Sequence, residues 1–140
     1  MTQPLPKTAL ITGAAKRLGK HIALEMARQG WNIVVHYGQS ASEAEETADA
    51  IRKLGVTAIT LQCDLADESA VRKLLPQAVA QIGPLSCLVN SASLFSYDDA
   101  ASFTVENLNA HMHANLAAPI LLAQALHAAT PEGACSVVIN

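Results

Sequence analysis

The chain of 140 residues carries nine basic and twelve acidic side chains, a formal net charge of -3, and 51% hydrophobic residues. This composition predicts one soluble globular domain over residues 1–140 and argues against a disordered segment, a basic nucleic-acid-binding surface and a membrane span, which needs about 20 apolar residues. We expect a cytoplasmic protein, because the N-terminus lacks the charged start and long apolar stretch of a signal peptide.

Five short β-rich runs alternate with longer segments of helical period, which is typical of βα units on a parallel sheet. Most of the runs are apolar throughout, as expected for strands that helices cover on both faces. We therefore predict an α/β fold, a Rossmann-type doubly wound parallel sheet with its first five strands in this chain. The predicted strands are residues 8–12, 32–36, 58–62, 86–90 and 135–140.

Segments of helical period separate these strands. In the first segment, Leu18, Ile22 and Met26 recur at every fourth residue and predict the buried face of a helix. Pro76 lies inside the third helix, and because an internal proline costs a helix about 3 kcal/mol, we expect a kink or two shorter pieces there. The last predicted helix is the longest, and we expect Pro119 to bend it.

The first strand is followed directly by the sequence TGAAKRLG at residues 12–19, in which a helix begins. Small residues let the backbone approach a ligand closely, and the free N–H groups at a helix start attract a pyrophosphate. The position after a strand and before a helix is the one that a dinucleotide-binding loop requires. We therefore predict a dinucleotide at Gly13 and Gly19, with a purely conformational need for glycine in a tight turn as the alternative.

The turn after the second strand indicates which dinucleotide is preferred. An NAD-binding site usually offers a carboxylate about 20 residues after the glycine loop, whereas this chain has HYGQS at residues 36–40 and its next acid only at Glu43. Without a carboxylate to repel it, a 2′-phosphate can be accepted, with Arg17, Ser40 and His36 as donors. NADP(H) is therefore the predicted cofactor, unless Arg17 is only a solvated surface cation.

Four parts of the sequence resemble the short-chain dehydrogenase/reductase family, and the resemblance covers the whole chain. They are the glycine loop, Cys63-Asp64-Leu65, Asn90-Ser91-Ala92-Ser93 and Asn115. The usual patterns of the family are TGxxxGxG and NNAG, from which this chain departs at Arg17, Ser91 and Ser93. These departures, together with the HYxxS turn and an aromatic residue two positions after Ser93, resemble the pteridine reductase branch. Gln39 stands where that branch carries an arginine, which leaves Arg17 as the main cation for a 2′-phosphate.

The resemblance implies a combined cofactor and substrate site. Arg17 is expected beside the cofactor phosphates and the pterin, Ser93 near the pterin, and Phe95 stacked on the pterin ring. A core position is the alternative for Phe95, and N-capping of the next helix is the alternative for Asp64, which is expected to hold the adenine with Leu65. The implied cofactor-binding residues are Gly13, Arg17, Leu18, Gly19, His36, Tyr37, Gly38, Gln39, Ser40, Asp64, Leu65, Asn90, Ser91 and Ala92.

Catalysis in this family implies an asparagine in the long helix, a serine or aspartate after the fifth strand, and a Tyr-x-x-x-Lys pair. Asn115 matches the asparagine and is the implied catalytic residue, holding a water of the proton relay; local bonding within its helix is the alternative. Tyr37 and Tyr97 each have an alanine four residues later. We therefore expect the chain to be the first part of a longer enzyme and to lack turnover by itself.

No metal site, nucleic-acid partner or membrane partner is expected. The three cysteines stand apart, which suits buried reduced thiols. His111 and His113 point to different sides of a helix, so they cannot share an ion. We expect a small-molecule substrate and a homo-oligomer, either dimer or tetramer, because the helix matching residues 104–129 packs between subunits in many family members.

These residues and the resemblance lead to three hypotheses about function. The first is an NADPH-dependent oxidoreductase that reduces a pteridine-like substrate, a dihydropterin or dihydrofolate, by hydride transfer. The second is a general short-chain carbonyl or 3-oxoacyl reductase, in which Ser93 and Phe95 only line the pocket. The third is a non-catalytic NADP-binding module that ends at Asn140.

Overall fold

The computed structural model describes residues 4–140, in which strands and helices alternate. The strands are β1 (Thr8–Thr12), β2 (Asn32–Tyr37), β3 (Ala58–Gln62), β4 (Cys87–Asn90) and β5 (Val137–Ile139). The helices are α1 (Arg17–Arg28), α2 (Ala41–Arg52), α3 (Glu68–Ile82), α4 (Val105–Met112) and α5 (Ala118–Ala129), with a π-helical segment (His113–Ala117) between the last two. Each predicted strand is confirmed to within two residues at either end.

All five strands are parallel and lie in the order β3-β2-β1-β4-β5. The central strand is β1, and the chain leaves it on one side for β2 and returns on the other side for β4. In a sheet of this kind, ligands bind beyond the carboxyl ends of the strands, at the point where the strand order reverses. The Rossmann-type doubly wound sheet is therefore confirmed, and its topology places a binding crevice beyond β1 and β4.

Helices cover both faces of the sheet and bury an apolar cluster on each. Ile11 and Val35 point to the face covered by α1 and α2, whereas Leu10 and Leu88 point to the face covered by α3 and α5. All four side chains are fully buried, and each burial of this kind contributes about 1.5–3 kcal/mol. Within residues 4–140, the structure contains no helix with the length and apolar character needed to cross a bilayer.

The buried face of α1 differs from the predicted one. Gly19, Ala23 and Ala27 face the sheet, whereas Leu18, which opens the predicted face, is 68% exposed. The helical period was predicted correctly, but the buried stripe lies one residue further along the chain. Small side chains on that stripe let the helix lie close to the strands, which the larger apolar side chains would prevent.

α3 is one continuous helix, so the two shorter pieces considered at Pro76 do not form. Asp67 caps its N-terminus by accepting hydrogen bonds from two backbone N–H groups. Leu74, Leu75 and Ala78 are buried on its inner face, and this packing offsets the backbone hydrogen bond that the proline removes. Pro76 itself lies on the exposed face, where water can bind the carbonyl group that loses its partner.

A π-helical segment, His113–Ala117, precedes Pro119, the position where we expected a bend. Pro119 lies in the first turn of α5, and it has no N–H group to donate to the carbonyl of Asn115, four residues earlier. The chain widens its turn directly before the proline. Single π-helical turns of this kind are frequent at functional sites.

The cysteines are not all buried, contrary to expectation. Cys63 and Cys87 are buried, whereas Cys135 is exposed. Burial raises the pKa of Cys63 to about 11, so its thiol stays protonated near neutral pH.

Candidate active site

A cleft of about 710 Å³ opens at the carboxyl ends of the strands, where the topology predicts a ligand. Its wall combines the glycine loop, the turn after β2, the end of β3 and the loop after β4. Most of the residues implied by the resemblance meet here. They are Gly13, Arg17, Leu18, Gly19, His36, Tyr37, Gly38, Gln39, Ser40, Asp64, Leu65, Ser91, Ala92 and Ser93.

Three implied residues lie outside the wall of this cleft. Asn90 donates a hydrogen bond through Nδ2 to Oδ1 of Asn140, 2.7 Å away. Phe95 follows the lining residue Leu94 and is 83% exposed, so the core position considered for it is wrong. Asn115 turns its side chain to the loop after β4 rather than into the cleft.

Gly13 and Gly19 are needed because the backbone segments around them lie in close contact. Gly13 has φ = +65°, and a Cβ at this position would lie 2.9 Å from the Cα of Ala92. A Cβ on Gly19 would overlap the carbonyl oxygen of Gly13. The start of α1 thus packs on the glycine loop, and the loop packs on the segment after β4, which closes the cleft on that side.

Arg17 has φ = +50°, the one positive value among the non-glycine residues of the range 4–140. It occupies the place of a glycine in the pattern TGxxxGxG, and a side chain in this left-handed conformation costs about 1–2 kcal/mol. Its side chain is exposed on the wall of the cleft. The fold therefore tolerates local strain in order to hold a cation at the start of α1.

Two helices present N-termini to the cleft that no side chain of residues 4–140 caps. Lys16 at the N-cap of α1 and Ser40 at the N-cap of α2 make no capping hydrogen bond. By contrast, α3 and α4 are capped by Asp67 and Thr104. The free N–H groups of such helix starts bind phosphate groups, and Arg17 adds a positive charge beside the first of them. The cleft therefore offers two places for anionic groups.

No carboxylate occupies the turn after β2, residues 37–40. Glu43, the first acid after the strand, forms an ion pair with Lys16 at 3.5 Å. A hydrogen bond from its own backbone and the charge of Lys16 hold the pKa of Glu43 below its usual value. The one acid in the first turn of α2 is thus paired with Lys16, and Gln39 and Ser40 add no negative charge to the turn before the helix.

His36 lies at the wall of the cleft, but both of its ring nitrogens are used inside the protein. Nδ1 accepts a hydrogen bond from the N–H group of Gly13 at 3.1 Å, so Nε2 carries the proton and donates to the carbonyl of Cys63 at 2.9 Å. Burial lowers the pKa of His36, against the opposing effect of the bond to Cys63. This geometry corrects the expected donor role, because the neutral ring has no free N–H group for a 2′-phosphate.

Asp64 is exposed at the end of β3 and lies on the wall of the cleft beside Leu65. Its Oδ1 accepts a hydrogen bond from the N–H group of Ala66 at 2.9 Å. The N-cap of α3 is Asp67, so the capping role considered for Asp64 is wrong.

Two buried threonines that sequence reasoning missed hold the loops of the cleft. Oγ1 of Thr12 accepts hydrogen bonds from the N–H groups of Ser91 and Ala92, both at 3.1 Å. Oγ1 of Thr47, on the buried face of α2, donates to the carbonyl of Ala15 at 3.0 Å. The available signal was a hydroxyl group at a position that the pattern assigns to the interior, where it needs a partner.

The end of β4 and the start of the following loop contain two buried polar atoms without a partner in residues 4–140, Oδ1 of Asn90 and Oγ of Ser91. Leaving a buried polar atom unpaired costs about 1–3 kcal/mol. The loop is therefore suited to a polar group that the described residues do not supply, as the ribose of a dinucleotide would.

Asn115 lies in the π-helical segment and pairs with a single residue of the loop after β4. Its Oδ1 accepts a hydrogen bond from the N–H group of Leu94 at 2.7 Å, and its Nδ2 donates to the carbonyl of the same residue at 2.8 Å. Local bonding within the helix, the alternative considered for this side chain, is wrong. The amide group instead fixes the last segment of the cleft wall.

His111 fixes the same loop on the other side of Phe95. Its Nε2 accepts a hydrogen bond from the N–H group of Ser96 at 3.1 Å, while Nδ1 donates to the carbonyl of Asn107 at 2.7 Å. His113 bonds to a backbone carbonyl before α3. Within the described range, 4–140, no three His, Cys, Asp or Glu side chains are grouped so as to hold a metal ion.

Comparison with known proteins identifies the family. Residues 7–140 match the family model described as short chain dehydrogenase. The chain belongs to the short-chain dehydrogenase family. Among solved structures, this short-chain dehydrogenase chain is similar to FolM alternative dihydrofolate reductase 1 from Brucella suis in complex with NADP. The TM-score is 0.87 and the identity 35%, covering 94% of this chain and 54% of that one.

Other members of the short-chain dehydrogenase family show the same relation. A short chain dehydrogenase from Burkholderia cenocepacia in complex with NADP has a TM-score of 0.87 and 31% identity, covering 97% of this chain and 56% of that one. The 3-oxoacyl-[acyl-carrier-protein] reductase FabG of Staphylococcus aureus is 37% identical over 64% of this chain and 37% of its own length. Versicolorin reductase stcU of Emericella nidulans is 32% identical over 91% of this chain and 48% of its own length. The chain thus spans less than half of these curated relatives.

Proposed function

We propose that this chain is the NADP-binding domain, a single unit over residues 1–140, of an NADPH-dependent reductase in the cytoplasm. The observation that carries the proposal is the pair of uncapped helix starts, α1 and α2, that face one cleft at the reversal of the strand order. Arg17 supplies a cation there, and the turn after β2 supplies no acid. NADP in the structures of two relatives supports the same cofactor.

The chemistry of the cleft matches the parts of NADPH in order. The start of α1 suits the pyrophosphate, and Arg17 with Ser40 at the start of α2 suits the 2′-phosphate. Asp64 and Leu65 flank the place for adenine, and the unpartnered Oγ of Ser91 suits a ribose hydroxyl. When bound, this cofactor supplies the hydride for reduction of a C=O or C=N bond.

NADPH is expected to bind more tightly than NADH, and Arg17→Ala is expected to narrow that difference by about 10- to 100-fold. The reason is that a charge-assisted hydrogen bond of about 1.5–3 kcal/mol is lost with the phosphate-bearing cofactor alone. Calorimetric titration of both cofactors into the native protein measures the effect. Lys53→Ala, which removes an exposed cation at the end of α2, is the control and leaves the preference intact.

Arg17→Gly separates the charge from the backbone strain. It removes the same cation, so its cofactor preference matches that of Arg17→Ala. Because glycine tolerates φ = +50°, its free energy of unfolding exceeds that of Arg17→Ala by about 1 kcal/mol. Equal affinities for NADPH and NADH in the unmodified protein would contradict the assignment.

We propose a pteridine-like substrate, a dihydropterin or dihydrofolate. The support is the position of Phe95, whose exposed ring lies on the loop after β4. Hydrogen bonds hold this loop on both sides of Phe95, from Asn115 to Leu94 and between His111 and Ser96. A fixed, exposed aromatic face beside a cleft suits stacking of a flat heteroaromatic ring. Ser93 lines the cleft on the same loop, and similarity to an alternative dihydrofolate reductase agrees with this substrate class.

A general carbonyl or 3-oxoacyl reductase is the second candidate. Two observations favour it. Phe95 lies outside the wall of the cleft, and the identity to the 3-oxoacyl reductase FabG, 37% over 64% of this chain, is comparable to the 35% over 94% of this chain for FolM. In that case Ser93 and Phe95 border the pocket without recognising a ring.

Phe95→Ala separates the two candidates. We expect this substitution to raise KM for a dihydropterin by about 3- to 10-fold. The variant loses the interaction energy of an aromatic pair, about 0.5–1.5 kcal/mol, and some apolar burial. A small aliphatic ketone, which has no ring to stack, shows a much smaller change in steady-state assays. Phe103→Ala, which removes another exposed ring after the same loop, is the control. Equal losses for both substrates, or no reduction of a dihydropterin by the unmodified protein, would favour the general carbonyl reductase.

A homo-oligomer, either dimer or tetramer, is also proposed. The support is an apolar stripe at helical spacing along α4, the π-helical segment and α5, each side chain of which is 45–59% exposed. Its members are Val105, Leu108, Met112, Leu116 and Ile120.

A further inference from the structure

The ring of His36 joins two segments of the cleft wall. Its Nδ1 accepts from the N–H group of Gly13 in the glycine loop, and its Nε2 donates to the carbonyl of Cys63 at the end of β3. The side chain is 2% exposed, so water does not take the place of either partner. A neutral imidazole has one donor and one acceptor, and these two contacts use both.

The glycine loop has other attachments, but none of them replaces this one. The N–H group of Ala14 donates to the backbone carbonyl of His36 at 3.0 Å, and Thr47 holds the carbonyl of Ala15. Both of these contacts act beyond Gly13 in the chain. The imidazole acceptor is the group that holds the N–H of Gly13, the residue on which Gly19 and the start of α1 pack.

Removal of this acceptor leaves the partly buried N–H group of Gly13 without its partner. Such a loss costs about 1–3 kcal/mol, and a turn of the peptide unit toward a new acceptor relieves it. This peptide unit carries the carbonyl group of Thr12, and its turn changes φ of Gly13 and with it the position of the Gly13 carbonyl oxygen, which lies against Gly19. The start of α1 and its free N–H groups then shift with the loop.

We propose that His36 is a positioning residue, whose Nδ1 holds Gly13 so that the glycine loop and the start of α1 fit the pyrophosphate of the cofactor. The inference rests on the proposed function. It differs from a role in binding the 2′-phosphate in one measurable way. The pyrophosphate is common to NADPH and NADH, so a positioning residue affects both cofactors equally, whereas a ligand of the 2′-phosphate affects NADPH alone.

Two substitutions each keep one of the two contacts. His36→Asn places an amide oxygen near the position of Nδ1 and keeps the acceptor for Gly13. His36→Gln places an amide N–H group near the position of Nε2 and keeps the donor for Cys63. NADPH and NADH are titrated into each variant and into the unmodified protein, and binding is followed by nicotinamide fluorescence. We expect His36→Gln to bind both cofactors about tenfold more weakly than the unmodified protein, the equivalent of one lost hydrogen bond. His36→Asn is expected to stay within about threefold of the unmodified protein for both.

Thr60→Val is the matched control, since Thr60 lies on β3 and bonds to Glu45 rather than to a residue of the cleft. Weaker binding of NADPH alone would make His36 a ligand of the 2′-phosphate and overturn the proposal. Equal effects of the two substitutions, or none from either, would reduce the ring to a packing role. Failure of the unmodified protein to bind either cofactor would instead contradict the proposed function.

Ring nitrogen chemical shifts of the unmodified protein test the proposal if His36→Gln does not fold. A proton on Nε2 of His36, with Nδ1 unprotonated, is expected both in the free protein and with NADPH bound. Protonation of Nδ1 on binding NADPH would contradict the positioning role, because it would break the bond from Gly13.

Discussion

Gly19→Ala is expected to destabilise the protein by about 3 kcal/mol or more and to remove cofactor binding. The added Cβ would overlap the carbonyl oxygen of Gly13 and lie 3.0 Å from the Cα of Ala14. Both neighbours are backbone atoms, so no side-chain rotation relieves the overlap. The helix start or the glycine loop has to move, and each carries N–H groups proposed to bind the pyrophosphate. Urea unfolding followed by circular dichroism, together with NADPH titration, measures the two effects.

Gly55→Ala is the matched control for this substitution. Gly55 has φ = +89°, and a Cβ there would meet no atom within 4 Å. The control therefore carries backbone strain without overlap, and about 1 kcal/mol of destabilisation is expected with cofactor affinity unchanged. Similar losses in the two variants would show that close packing of α1 on the glycine loop contributes little.

Asn115→Leu is expected to lower kcat of the native protein by about 100-fold or more, with a far smaller change in KM for NADPH. The resemblance implies that Asn115 holds a water of the proton relay in the proposed reductase. Its backbone carbonyl lacks an α-helical donor because Pro119 follows four residues later. The substitution also frees both backbone groups of Leu94. Steady-state rates with NADPH and a dihydropterin measure the loss.

Asn115→Asp distinguishes the contacts of the amide group. The carboxylate still accepts from the N–H group of Leu94 but places an oxygen against the carbonyl to which Nδ2 donates, so we expect a loss of kcat between those of the parent and Asn115→Leu. Asn109→Ala, on the exposed side of α4, is the control and leaves kcat unchanged. A kcat of Asn115→Leu within about threefold of the parent, far below the 10²–10⁴ of a lost proton-transfer group, would limit Asn115 to holding the loop.

The fold was predictable because its signals are local. Each strand is a short apolar run bounded by turn residues, and each crossover has helical period, so the alternation alone predicts a parallel sheet. The need for glycine at positions 13 and 19 was also predictable, because a strand, a tight turn and a helix follow one another there. The order of the strands agrees with the fold class.

Features that depend on distant contacts were not predictable. The stripe led by Leu18 and the one led by Gly19 have the same period, and the choice between them depends on how closely α1 approaches the glycine loop. The pattern HYxxS placed His36 in the cofactor site but could not show that Gly13 and Cys63 use both ring nitrogens. Asn115 likewise finds its partner 21 residues away in the chain.

The attachment of the loop after β4 to Thr12 bears on how the protein is made. The partners in this contact are 79 residues apart, which corresponds to roughly 4–16 s of synthesis at about 5–20 residues per second. During that interval β1 can pair with β2, but its other edge has no neighbour until β4 leaves the ribosome. An unpaired edge of apolar strand invites association with other chains. Cover of this edge of β1 until β4 has been made therefore lowers the risk of association for the nascent polypeptide.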